Sequence, residues 1–182
     1  SRSTTGPRRL NSMAKSYIAW MLTRVNTPGK IAIAIPMSRS ASVVKIEPPG
    51  GDETRAFGPW VDGHSTYFLA ANRNKQSIVL DLRTEAAREV LHRLLKDADV
   101  LVENFRPGVA ERLSVGWTHL HARYPKLVYV AIHAFGSDGV PAEWTDRPGY
   151  DLVLQAMGGG ASATGFPGSP PLKHSLSIAD LF

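Results

Sequence analysis

Short apolar runs alternate with helical periodicity along most of the chain. Val43-Val-Lys-Ile-Glu47 reads as a short buried strand, stopped by Pro48-Pro-Gly-Gly51. Residues 52–64 read as a long surface loop carrying Phe57 and Trp60, and residues 66–71 as one or two helical turns. Asn72-Arg-Asn-Lys75 is a polar turn before a second strand at residues 77–82. Thr84 then opens the clearest helix. It is a good N-cap, Glu85 favours the helix dipole, and Ala87, Val90, Leu91, Leu94 and Leu95 recur at helical spacing up to Lys96. Residues 99–103 predict a third strand, and residues 107–113 and 117–124 two short helices. Residues 127–132 predict a strong buried strand, followed by loop from Phe135 to Trp144. Pro148-Gly-Tyr-Asp151 opens a last full helix with Leu152, Val153, Leu154, Ala156 and Met157, ended by Gly158-Gly-Gly160. A Gly/Pro/Ser-rich loop and an extended stretch lead to Ala179-Asp-Leu-Phe182. Alternation of strands and helices implies right-handed βαβ units: an α/β fold, Rossmann-like, with a parallel sheet and flanking helices.

One strand end stands out. Val100, Leu101 and Val102 run into Glu103-Asn-Phe-Arg106, and Pro107-Gly108 end the extended pairing. Ligands of open parallel sheets bind beyond the carboxyl ends of the strands. The turn therefore offers an amide, an aromatic face and a guanidinium where an α/β protein uses them. Taken alone, it also reads as a capped surface loop.

Composition changes this picture mainly at the N-terminus. The 182 residues carry a net charge of +5, yet residues 1–46 hold eight basic side chains and no acid, a balance of +8. The remaining residues carry 13 basic and 16 acidic groups, or −3. The expected organisation is a basic arm of atypical character at residues 1–42 and an α/β body over residues 43–182. The arm has the composition of a mitochondrial transit peptide, and an irregular or wrongly joined N-terminus explains it equally. No nucleic-acid module accompanies the charge, so nucleic acid is not an expected partner. Ile31-Ala-Ile-Ala-Ile-Pro36 is far shorter than the roughly 20 residues of a membrane span, so no membrane is expected either. With no cysteine, and with His119 and His121 on different faces of a helix, neither a disulfide framework nor a metal site is expected.

Five segments in order give a family resemblance: Val43-Val-Lys-Ile-Glu-Pro-Pro-Gly-Gly-Asp-Glu-Thr-Arg55, Asn72-Arg-Asn-Lys-Gln-Ser-Ile78, Val102-Glu-Asn-Phe-Arg-Pro-Gly108, Arg147-Pro-Gly-Tyr-Asp151, and Thr164-Gly-Phe-Pro-Gly-Ser-Pro-Pro171 followed by Ile178-Ala-Asp-Leu181. Together they resemble the class III CoA-transferases, the CaiB/BaiF family that includes formyl-CoA transferase-like proteins. The resemblance implies transfer of coenzyme A between carboxylic acids, with acyl-CoA and a free acid as substrates, no metal, and interlocked homodimers. It places the catalytic carboxylate at Asp180, which passes through an acyl anhydride and an aspartyl-CoA thioester. It also implies CoA contacts at Asn72, Arg73 and Lys75, at Asn104, Phe105 and Arg106, at Arg112, and at His133 after the last strand. Read without the resemblance, Asp180 is an acid favoured at a helix N-terminus, and Arg112 a cation favoured at a helix C-terminus.

Two departures qualify these implications. The family's opening strand, turn and helix have only an echo at Leu22-Thr-Arg-Val25, and Pro28, Gly29 and Pro36 break a helix there. The family's racemases carry a histidine where this chain has Tyr150, and a phenol is a poor base near neutral pH. Transfer is therefore expected over racemisation, with a non-catalytic CoA-binding piece as the third reading. Ile178, Leu181 and Phe182 are apolar residues opening a helix at the last positions. The chain is expected to be a piece of a larger domain, inactive by itself, whose family supplies a glycine-rich oxyanion loop from elsewhere. The expected compartment is cytoplasmic, or mitochondrial if the arm is a targeting segment.

Overall fold

The computed structural model describes residues 31–36, 41–136, 139–145, 147 and 149–181. Expectations for residues 1–30 lie outside the described residues, as does Phe182. Seven strands are described: β1 (Ile31–Pro36), β2 (Ala41–Glu47), β3 (Trp60–Val61), β4 (His64–Ser65), β5 (Lys75–Val79), β6 (Val100–Glu103) and β7 (Val128–Ala131). The helices are α1 (Thr66–Asn72), α2 (Glu85–Leu95), α3 (Val109–Arg112), α4 (Trp117–Arg123), α5 (Ala142–Thr145), α6 (Asp151–Met157) and α7 (Ile178–Leu181), with a 3-10 turn at Glu53–Ala56.

The main sheet has the order β5-β2-β1-β6-β7. β2 pairs with β5, and β6 with β7, in parallel. These are the βαβ pairs that the strand and helix alternation predicts. The central strand is different. β1 runs antiparallel to both β2 and β6, with Ile31 opposite Ile46 on one side and Glu103 on the other. Four residues separate β1 from β2, and a connection that short permits a hairpin but no parallel crossover. The sheet is therefore mixed at its centre, and Ile31 is fully buried there. Because β1 opposes both neighbours, β2, β5, β6 and β7 all point the same way. Their carboxyl ends lie along one edge.

Paired residues share a face. Ile31, Val44, Ile46, Ile78, Leu101 and Tyr129 face Leu91 and Leu95 of α2, Ala110 of α3 and Leu120 of α4 in the principal core. α2 forms where its spacing predicts. Thr84 Oγ1 accepts from the Ala87 N–H at 3.3 Å, and Ala87, Leu91 and Leu95 form the buried stripe. The opposite face buries Val43, Val100 and Val102, together with Lys45 and Glu47. The charged pair is covered by the segment that follows β2. Asp52 caps the 3-10 turn, accepting from the Thr54 N–H, and receives an ion pair from Lys45 Nζ. Arg55 binds Glu47 through Nε at 3.1 Å and Nη2 at 2.9 Å, and both Lys45 and Arg55 lie over the Phe68 ring.

The expectation of a strong buried strand at residues 127–132 needs correction. β7 closes the sheet on one side, so Val128 is 39% exposed and Ala131 is exposed too. The apolar run is real, but an edge strand has a neighbour on one side only. β5, the other edge strand, starts two residues earlier than its apolar pattern suggests, at Lys75, and leaves Val79 exposed.

Candidate active site

The turn after β6 sits at the carboxyl edge of the sheet, and Glu103 braces it. This glutamate ends β6 and is 2% exposed. Its Oε2 accepts the Phe105 N–H at 2.7 Å, and its Oε1 accepts the Tyr129 hydroxyl at 3.2 Å. His133 Nε2 stands 3.9 Å from the same Oε1. The Ile132 N–H donates to the Glu103 carbonyl at 2.9 Å, tying the end of β7 to the end of β6. Burial pushes the Glu103 carboxyl up, and the amide, His133 and Tyr129 only partly offset this. Burial also raises the Tyr129 phenol, helped by the neighbouring carboxylate.

Above this brace the backbone turns sharply. Gly108 adopts φ +77°, a left-handed conformation that costs glycine least, and it caps α3. A Cβ placed on Gly108 would meet Arg112 Nη1 at 3.3 Å, so the Arg112 guanidinium reaches back one helical turn to the turn itself. Arg106 is exposed beside it, and Asn104 is half-buried. Phe105 packs against the principal core, with only part of its ring left open. Asn104, Phe105, Arg106, Arg112 and His133 are thus brought together at one sheet edge.

Asn72, Arg73 and Lys75 are placed elsewhere. Asn72 and Arg73 precede β5 and Lys75 opens it opposite Val43, so all three lie at the amino edge of the sheet. Asn72 ends α1 and accepts from Lys45 Nζ at 3.0 Å, which joins it to the buried ion cluster. Arg73 is exposed and Lys75 half-buried at the start of the edge strand.

Asp180 lies on α7, and the start of that helix is held from α6. Asp151, buried at the first position of α6, accepts the Ala179 N–H on Oδ1 at 2.9 Å. Its Oδ2 accepts Gln155 Nε2 at 2.7 Å. Gln155, also buried, donates to the Leu176 carbonyl at 3.1 Å and accepts the His174 N–H at 2.7 Å. Tyr150 precedes this pair as the N-cap residue of α6 and is 54% exposed. Reading the sequence for chemistry missed Glu103 and Gln155 altogether. An acid ending a buried apolar strand, and a polar residue four positions after a helix-opening aspartate, were the available signals.

Among the described residues, no group of three or more acidic or histidine side chains is arranged to hold a metal, and no helix is long and apolar enough to cross a membrane.

These features define an α/β protein with a cation-bearing turn at the carboxyl edge of its sheet and a carboxylate-bearing helix tied to a second polar bracket. The sequence model of CoA-transferase family III matches residues 39–182, and the chain belongs to that family. It is 43% identical over 155 residues to the acetyl-CoA:oxalate CoA-transferase of Acetobacter aceti, covering 84% of this chain and 39% of that protein. It is 39% identical over 142 residues to the succinyl-CoA–D-citramalate CoA-transferase of Chloroflexus aurantiacus, covering 77% and 35%. Among solved structures, it resembles a CaiB/BaiF family protein from Brucella suis with a TM-score of 0.74 and 37% identity, over 90% of this chain and 41% of that one. The chain spans about two fifths of the length of these relatives.

Proposed function

We propose that the chain carries the CoA-binding turn and the nucleophile of an enzyme that transfers coenzyme A between carboxylic acids. Family membership supports the reaction class. The observation that carries the local reading is the braced turn, where Arg106 and Arg112 present guanidinium groups beside Asn104 at the carboxyl edge of the sheet. Planar guanidinium forks suit phosphate oxygens. A shelf whose backbone is fixed by a buried carboxylate can hold a long polyanionic carrier without reordering. His133 closes the same edge. Asn72, Arg73 and Lys75 reach the carrier in this reading only if it extends across the sheet from that edge.

In the proposed reaction the Asp180 carboxylate attacks the thioester carbonyl of an acyl-CoA, and the C–S bond breaks to release CoA thiolate. The product is a mixed anhydride. The thiolate attacks the aspartyl carbonyl, the donor acid leaves as a carboxylate, and an aspartyl-CoA thioester remains. The acceptor carboxylate then runs the two steps in reverse. Charge is conserved throughout, because each attacking anion expels another. The assembly expected of the whole protein is an interlocked homodimer.

Racemisation is the second reading, and Tyr150 stands against it because a histidine base is absent from that position. One experiment separates the two. The full-length protein is incubated with an acyl-CoA, isotopically labelled free acid and deuterated water. Transfer predicts label in the CoA thioester without deuterium at the α-carbon. Deuterium incorporation without acid exchange would overturn the transfer reading.

A further inference from the structure

The bracket on α6 has a polarity that admits one kind of side chain at residue 151. Gln155 is fixed first. Its Oε1 accepts the His174 N–H at 2.7 Å, which turns Nε2 toward the Leu176 carbonyl and toward Asp151. Residue 151 must therefore accept from an amide nitrogen on one oxygen while accepting the Ala179 N–H on the other. An ionised carboxylate accepts on both oxygens, whereas an asparagine presents one donor. Asp151 is 7% exposed and Gln155 6%, so solvent does not relax the requirement. The bracket spans residues 174–179 and ends on the amide immediately before Asp180.

We infer that Asp151 is a positioning residue for the nucleophile: with Gln155, it fixes the helical turn that carries Asp180. This rests on the proposed role of Asp180. The exposure of the neighbouring leucines sets it apart from ordinary packing. The residues between 172 and 178 leave Leu172 at 50% and Leu176 at 59% exposure, so little apolar burial holds this segment. The polar bracket supplies the fixed geometry instead. A displacement of about 1 Å at a reacting group costs on the order of a hundredfold in rate.

The test uses the full-length protein and a polarity swap. Asp151→Asn puts two donors face to face at residue 155. Adding Gln155→Glu restores an acceptor toward residue 151, still meets the His174 N–H and keeps the net charge, while the oxygen that replaces Nε2 now faces the Leu176 carbonyl. Single-turnover formation of the Asp180 adduct is followed by mass spectrometry, and CoA affinity by calorimetry. Asp151→Asn is expected to slow adduct formation about a hundredfold, with CoA affinity within about twofold of wild type. The double variant is expected to recover part of the rate, because the contacts to the His174 N–H and to residue 151 return while the one to the Leu176 carbonyl does not. Adduct formation at the wild-type rate in Asp151→Asn would overturn the inference, as would no recovery in a folded double variant. Should wild type form no adduct at Asp180, the catalytic reading fails and hydrogen exchange at the Ala179 amide decides the bracket. Lost protection in Asp151→Asn that returns in the double variant upholds it, and unchanged protection overturns it.

Discussion

Glu47 and Glu103 both sit at the carboxyl ends of strands and are almost fully buried, yet their surroundings push them in opposite directions. Burial works against the Glu47 charge, but Arg55, Ser77, Lys45 and the Asp52 N–H outweigh it and hold the carboxyl below the usual range. Its contribution to stability is present above the ordinary carboxylate pKa and is lost as pH falls through the lowered one. Burial outweighs His133, whose Nε2 stands 3.9 Å from Glu103 Oε1, and holds the Glu103 carboxyl above the usual range. The folded state binds this proton more tightly than the unfolded chain does. Stability therefore falls as pH rises from the ordinary carboxylate pKa through the raised one. Glu103→Gln keeps an acceptor for the Phe105 N–H and removes that slope. Urea denaturation between pH 4 and 8 is expected to show the variant gaining on wild type as pH rises. An equal loss at every pH would contradict the assignment. Lys45→Met removes the cation that reaches Asp52, Asn72 and the neighbourhood of Glu47. Breaking a buried pair from one side costs about 3–5 kcal/mol, and the same denaturation series measures it.

The turn after β6 joins residue chemistry to an element boundary. Gly108→Ala forces a Cβ into a left-handed conformation and against the Arg112 guanidinium. The backbone cost is about 1 kcal/mol, read as a lower unfolding temperature. Displacing Arg112 is expected to weaken CoA binding beyond that loss, so calorimetry on the folded variant checks the shelf separately. Such elements were unevenly legible in the sequence. α2 was plain, because Thr84 and the Leu91–Leu95 stripe specify start, face and length locally. β1 was not. Ile31-Ala-Ile-Ala-Ile-Pro36 sits in a basic, acid-free stretch, and its central place comes from long-range pairing with β2 and β6. The exposure of Val128 was hidden for a similar reason, since an apolar run does not reveal which strand lies at an edge. Glu103 was passed over because an acid ending a strand ordinarily faces water, and only the fold shows it beneath Phe105 and Tyr129.

Across the molecule, antiparallel β1 leaves the four other main-sheet strands parallel, so the ends of β2, β5, β6 and β7 share an edge. That edge gathers Asn104, Phe105, Arg106, Arg112 and His133 but leaves Asn72, Arg73 and Lys75 at the start of β5. The family was legible because its segments keep their order, and the match over residues 39–182 covers them. The spatial grouping was not, because motif order along a chain does not say which end of a strand a motif occupies. The proposed reaction stands or falls on covalent loading of Asp180. The most direct measurement is peptide mass spectrometry of the full-length protein after incubation with acyl-CoA and hydroxylamine. A loaded carboxylate yields a hydroxamate at Asp180 that is absent in Asp180→Asn. An unmodified Asp180 under conditions where the protein still moves CoA between acids would contradict it.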